Sequence, residues 1–173
     1  MPFSLRRCTN HSGYFKGAEM KFVLGSMIGL LTTTNAGCSS NMFQPPPPSF
    51  LAWIKSGVDR LEIKKALLEC GHDSPSGFRS GRSYDDQAKA SLCMEKAGYR
   101  HIDEPVGWCT NHPEWNLPSC APGAVIPSPT ADRRLSSGYC ERKRSYAFCK
   151  QTAINPAACE TMDFNNPPPE CLP

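Results

Sequence analysis

Eight cysteines between Cys70 and Cys171 constrain this chain more than any other feature. They are Cys70, Cys93, Cys109, Cys120, Cys140, Cys149, Cys159 and Cys171. An even set of this size in an exported domain predicts four disulfides, whereas in a reducing compartment it would prompt a search for zinc. Residues 105–173 hold few large aliphatics and many prolines. Apolar burial alone cannot offset the chain entropy of such a segment. A disulfide closing a loop of about 15 residues contributes roughly 3 kcal/mol in the chain-entropy view. The expected fold is therefore mostly α, small and disulfide-rich, with the cysteines doing part of the work of a core.

The stretch from Met20 to Cys38, MKFVLGSMIGLLTTTNAGC, assigns the compartment. Lys21 is a short basic start, Phe22 to Leu31 an apolar run, and Ala36-Gly37 a small-residue ending. That order describes a secretory leader. The run is too short for a transmembrane helix, which needs about 20 apolar residues. Ala36-Gly37-Cys38 resembles the lipobox of bacterial lipoproteins. The resemblance implies cleavage between Gly37 and Cys38 and a lipid on Cys38. It departs from the family pattern at Asn35, where Leu is usual. The competing reading is an ordinary secretory signal cut near Ala36. Residues 1–19, with Cys8, fit no leader; Met20 is the expected initiator, and residues 1–37 are set aside from the fold.

Residues 38–49 form a proline-rich tether. Pro45 to Pro48 favour polyproline II, a semi-rigid spacer. Four of the 19 basic residues and one of the 16 acidic residues precede Cys38, leaving fifteen of each in the 136 residues from Cys38 onward. That balance gives no basic stripe for phosphate backbones, so nucleic acid is not an expected partner.

Residues 50–104 read as a helical hairpin. Phe50 to Ile54 is an apolar patch expected under the first helix. Ser56 with Asp59 resembles a capping box, and Val58, Leu61, Ile63, Leu67 and Leu68 recur at helical spacing. The spacing predicts a helix over 57–69, ended by Gly71 in a left-handed cap. A loop spans 72–82. Ser83 then caps a second helix, with Asp85 and Asp86 in its first turn, Ala88, Leu92 and Ala97 on its buried face, and Gly98 at its end. Residues 105–173 read as a loop-rich, cysteine-stapled region, with one or two short helices between Thr130 and Lys150.

Eight cysteines permit 105 pairings. The expected set is Cys70–Cys93, Cys109–Cys120, Cys140–Cys149 and Cys159–Cys171. The first would clasp the two helices. The next two share a Gly-aromatic-Cys opening, and the last would pin the proline-rich end. The main competitor pairs Cys149 with Cys159 and Cys140 with Cys171.

Cys70-x-His72 and Cys109-x-x-His112, with His101, lack the paired spacing of a zinc site, so no metal or other cofactor is expected. Cys149-x9-Cys159 lacks the second pair of the mitochondrial CX9C proteins. No Gly-x-Ser-x-Gly elbow is present. His72-Asp73-Ser74 are sequence neighbours, not a triad assembled in space, and His72 is expected in solvent. Asp103 and Glu104 read as surface acids. Trp53, Trp108 and Trp115 read as core or disulfide cover, with a sugar-stacking face as the alternative.

The stretch WIKSGVDRLEIKKALLECG (53–71) with CMEKAGY (93–99) resembles small uncharacterised lipoproteins of Gram-negative envelopes. The resemblance implies no activity. The leading expectation, beside that resemblance, is a non-enzymatic, lipid-anchored envelope protein with a structural or interaction role and an envelope protein as candidate partner. A periplasmic inhibitor or immunity-type binder and an envelope hydrolase are the alternatives. In lipoproteins of enteric type an Asp just after the lipidated cysteine tends to retain the protein in the inner membrane; with Ser39 and Ser40 there instead, the resemblance implies the outer membrane, facing the periplasm.

Overall fold

The computed structural model describes residues 47–173. The leader, the Gly37–Cys38 cleavage site, the Cys38 anchor and most of the tether lie outside the described residues. Among those described, no helix is long and apolar enough to cross a membrane. The described chain is rich in short helices, with very little strand, and holds four disulfides.

After the extended Pro48, a single turn α1 (Ser49–Ala52) leads into β1 (Trp53–Ile54). Next come α2 (Arg60–Glu69) and α3 (Tyr84–Lys96). β2 (Arg100–His101) pairs antiparallel with β1, placing Trp53 opposite His101. This two-residue ladder escapes sequence patterning because it is too short to alternate. Beyond it lie α4 (Trp108–Asn111), two 3-10 turns, and then α5 (Ala131–Leu135), α6 (Gly138–Arg144) and α7 (Tyr146–Thr152). Two further 3-10 turns, Pro156–Thr161 and Pro169–Cys171, finish the chain.

The first long helix starts three residues later than its apolar spacing suggests. Asp59, not Ser56, is the cap: its Oδ1 accepts from the Glu62 backbone N–H at 2.9 Å. Gly57 intervenes with φ +75°, so Ser56 belongs to a turn rather than the helix. The far end matches expectation. Gly71 has φ +92°, its N–H donates to the Leu68 carbonyl, and the His72 N–H donates to that of Leu67. This is a Schellman cap, which satisfies two otherwise orphaned carbonyls. In α3, Ser83 Oγ accepts from the Asp86 N–H. Thr130, Ser137 and Ser145 cap α5, α6 and α7 in the same way. Serial caps thus give a proline-dense segment more helix than its composition implies, since each cap satisfies an otherwise orphaned amide.

α2 is the central element. Ile63, Ala66 and Leu67 pack with Trp53, Cys70, Cys93 and Met94, and Phe50, Val58, Tyr99 and Ile126 flank them. Leu68 points to a second cluster with Cys140, Cys171 and Tyr139. Consequently the compositional boundary at Glu104 is not a packing boundary: α2 lies against both α5 and the Pro169–Cys171 turn. On α3, Ala88, Cys93 and Met94 are fully buried, while Leu92 and Ala97 are only partly so.

The disulfides are Cys70–Cys93, Cys109–Cys120, Cys140–Cys171 and Cys149–Cys159, with Cα atoms 5.4, 5.5, 5.2 and 6.1 Å apart. The first two are as expected. The expected Cys140–Cys149 and Cys159–Cys171 pairs are replaced by the competing arrangement. The reason lies in α6 and α7. Their break at Ser145 turns Cys140 toward Leu68 and Cys149 toward the Pro156–Thr161 turn, so the neighbouring cysteines face different partners. Of the largest fully buried side chains, Leu67, Leu68 and Met94 are aliphatic or thioether and all the rest are cystine halves. Cystine therefore replaces aliphatic core in the C-terminal part.

Acids on α3 fasten the Cys109–Cys120 segment. Glu95 Oε1 accepts from the Trp108 N–H at 2.9 Å, and Asp85 Oδ1 accepts from the Ser119 N–H at 2.8 Å. The hydrogen bond from Lys89, then that from Ser119, hold the Asp85 carboxyl down at about 2.

Candidate functional site: an arginine-lined cavity

Four arginines meet around one open cavity of about 350 Å³. Arg79 and Arg82 come from the loop after α2, Arg133 from α5 and Arg142 from α6. Among the described residues, Asp73 is the sole carboxylate of the lining. Its Oδ1 accepts from Arg82 Nη1 at 2.9 Å and its Oδ2 from the Arg79 N–H at 2.9 Å, so both oxygens are engaged. Arg133 sits at the C-terminal end of α2 and donates to the carbonyls of Glu69 and Ser128. A cation there is favoured by the helix dipole. The side chains of Arg79 and Arg142 have neither a hydrogen bond nor an ion pair among the described residues. Partial burial, and then the Arg79 guanidinium, lower the Arg142 pKa, with Asp73 opposing.

His72 forms part of the same wall, and here the structure corrects the sequence expectation. His72 is not solvated: it is 4 % exposed and stacks on Phe78 at 4.2 Å. The loop folds back over it because Asp73 clamps the Arg79 backbone and the Arg82 side chain. Burial first, then the Arg82 charge and His101, push the His72 pKa down to about 3. The ring is thus neutral at ordinary pH, and neither nitrogen has a hydrogen-bond partner among the described residues.

This wall also includes Ser136, Ser137 and Tyr139. The serine hydroxyls are committed: Ser136 Oγ donates to the Asp132 carbonyl and Ser137 Oγ to that of Arg134, each at 2.7 Å. His72, Asp73 and these hydroxyls share a cavity but no hydrogen bond links them into a relay. Tyr139 donates to Glu170 Oε1 at 2.9 Å; burial, then this bond, raise its pKa.

The other residues singled out from sequence lie apart. Cys70 and Cys109 spend their sulfurs in disulfides, so the Cys-His combinations are not assembled. Trp53 is core at 3 % exposure. Trp108 and Trp115 form a separate half-buried cluster, in which His112 stacks on Trp115 at 4.0 Å and Tyr84 lies 4.5 Å away. His112 Nε2 lies 3.5 Å from Glu104; Asp103 is exposed. Sequence reading missed the arginine cavity because its members are scattered from 79 to 142 and the net charge around them is balanced. The Arg-Ser-Gly-Arg run at 79–82 was its faint local sign.

No protein-family model, curated protein or solved structure matches this chain.

Proposed function

We propose that this chain is a non-catalytic binding protein of the bacterial cell envelope, lipid-anchored through Cys38 at the outer membrane and facing the periplasm, which takes an anionic group in its arginine-lined cavity. The observation that carries the reading is the surplus of guanidinium: four arginines face one carboxylate whose oxygens are already used. Guanidinium forks suit planar or tetrahedral oxyanions. In this reading α2 and α3 form a hairpin clasped by Cys70–Cys93, and the cysteine-stapled segment closes the cavity against it. The leader resembling a lipoprotein signal and the disulfides suit one oxidising location. A hydrolase is disfavoured, because a base held near pH 3 and hydroxyls bonded to carbonyls are poorly disposed for proton transfer.

Two experiments test it. Cys38→Ser should leave the protein uncleaved or release it from membranes, and sucrose gradients should place the native protein with outer-membrane markers. Pull-down from solubilised membranes should recover envelope material that Arg79→Gln/Arg142→Gln loses. A single dominant enzyme partner, retained by that variant, would favour the inhibitor reading instead.

A further inference from the structure

The arginine cavity does not stand alone. A second hollow of about 370 Å³ adjoins it and shares Asp73, Arg79, Tyr139 and Arg142 as the common wall. Its far side is mostly apolar, with Ala153, Ala158 and Met162 beside Lys143, Thr152 and Asn155. Ile154 stands at this rim and is 95 % exposed. The two unpaired guanidiniums, Arg79 and Arg142, therefore lie on the border between a cationic chamber and an apolar one.

Resting on the anion-binding reading above, we propose that the composite site binds a phosphomonoester amphiphile, its phosphate between Arg79, Arg82 and Arg142 and its apolar part along Ala153, Ile154 and Met162. Charge selects the head group. Four arginines less Asp73 leave three formal positive charges in the chamber. A phosphomonoester, at about −1.5 to −2 near neutral pH, neutralises most of them, and a single carboxylate leaves two. His72 lies in the same wall, 4 % exposed, with neither ring nitrogen bonded to another described residue. The mostly apolar hollow selects the remainder of the ligand, since moving alkyl carbons from water onto Met162 and Ile154 is favourable.

The phosphate chemistry has two sources, a membrane lipid head group and a soluble alkyl ester, and the assay separates them. The full chain in non-ionic detergent is titrated calorimetrically with inorganic phosphate, hexyl phosphate, hexanoate and dihexanoyl phosphatidic acid. Hexyl phosphate should bind on the order of tenfold tighter than both inorganic phosphate and hexanoate. Phosphatidic acid tighter than hexyl phosphate assigns a lipid; the reverse order assigns a soluble ester. Arg79→Gln/Arg142→Gln should lose phosphate and hexyl phosphate alike, while Ile154→Asp should lose only the gain from the alkyl chain. Both changes are at residues with at least partial exposure, and circular dichroism melts report whether the fold is retained. Equal binding of hexyl phosphate and inorganic phosphate overturns the amphiphile and leaves the anion-binding reading intact. Equal binding of hexanoate and hexyl phosphate overturns the phosphate assignment. Heat from none of the four overturns both readings.

Discussion

Arg134 Nε lies 3.0 Å from Glu69 Oε1, joining residues 65 positions apart on α5 and α2. The guanidinium is buried, and its Nη1 also donates to the carbonyls of Glu170 and Leu172. One side chain thus ties the central helix, the cavity-bearing α5 and the end of the chain together. Arg133, its neighbour, meanwhile faces the cavity. Both arginines therefore hold α5 to the end of α2, Arg133 through the Glu69 carbonyl and Arg134 through the Glu69 carboxylate, and Arg133 lines the cavity as well.

Arg134→Ala should be severely destabilising. Glu69 keeps 23 % side-chain exposure, so the loss should be about 2–3 kcal/mol, below the about 3–5 kcal/mol typical of a fully buried pair. Urea unfolding under oxidising conditions measures it, with Arg133→Ala as the comparison. A loss for Arg134→Ala no larger than for Arg133→Ala would contradict the structural assignment.

Stability should fall as pH drops from about 6.5 toward 3. The unfolded chain protonates His72 near 6.5, and the folded chain resists until about 3. Between those values the unfolded state binds the extra proton, so the contribution is complete above pH 6.5 and declines by roughly 1.4 kcal/mol per pH unit below it. Denaturant midpoints at pH 7.5 and 5.5 should separate in the native protein and converge in His72→Leu.

The cystine connectivity has a direct check and an energetic one. Non-reducing peptide mapping should recover Cys140 with Cys171 and Cys149 with Cys159. The Cys140–Cys171 bridge spans 31 positions and Cys109–Cys120 spans 11. Chain entropy then gives roughly 4 kcal/mol for the former and roughly 3 for the latter. The double alanine variant of the longer loop should lose more, and further because Cys140 and Cys171 pack on Leu68.

Asp59→Ala should cost about 1 kcal/mol and Ser56→Ala close to nothing, because only Asp59 accepts from the first turn of α2. Thermal melts of the two variants decide the helix start. Equal effects would return the cap to Ser56.

Residues within one helix turn of each other were largely legible in the sequence. Gly71 was readable as a left-handed end, Gly98 as the end of α3, Ser83 as a cap, and Ile63 and Leu67 as a buried row of α2, because these features depend on local dihedrals and spacing. Cys70–Cys93 was legible for a related reason: it joins the ends of two consecutive helices. The exchange of partners among Cys140, Cys149, Cys159 and Cys171 was not, since it depends on the angle between α6 and α7 at Ser145. Nor was the burial of His72, which follows from Asp73 folding its loop back on Arg79 and Arg82. The arginine cavity is the clearest case. Arg79, Arg82, Arg133 and Arg142 carry no shared period, and a balanced net charge conceals them. Only the packing of α2 against α5 and α6 brings them to one place, since the convergence of charge depends on long-range geometry that local sequence does not encode.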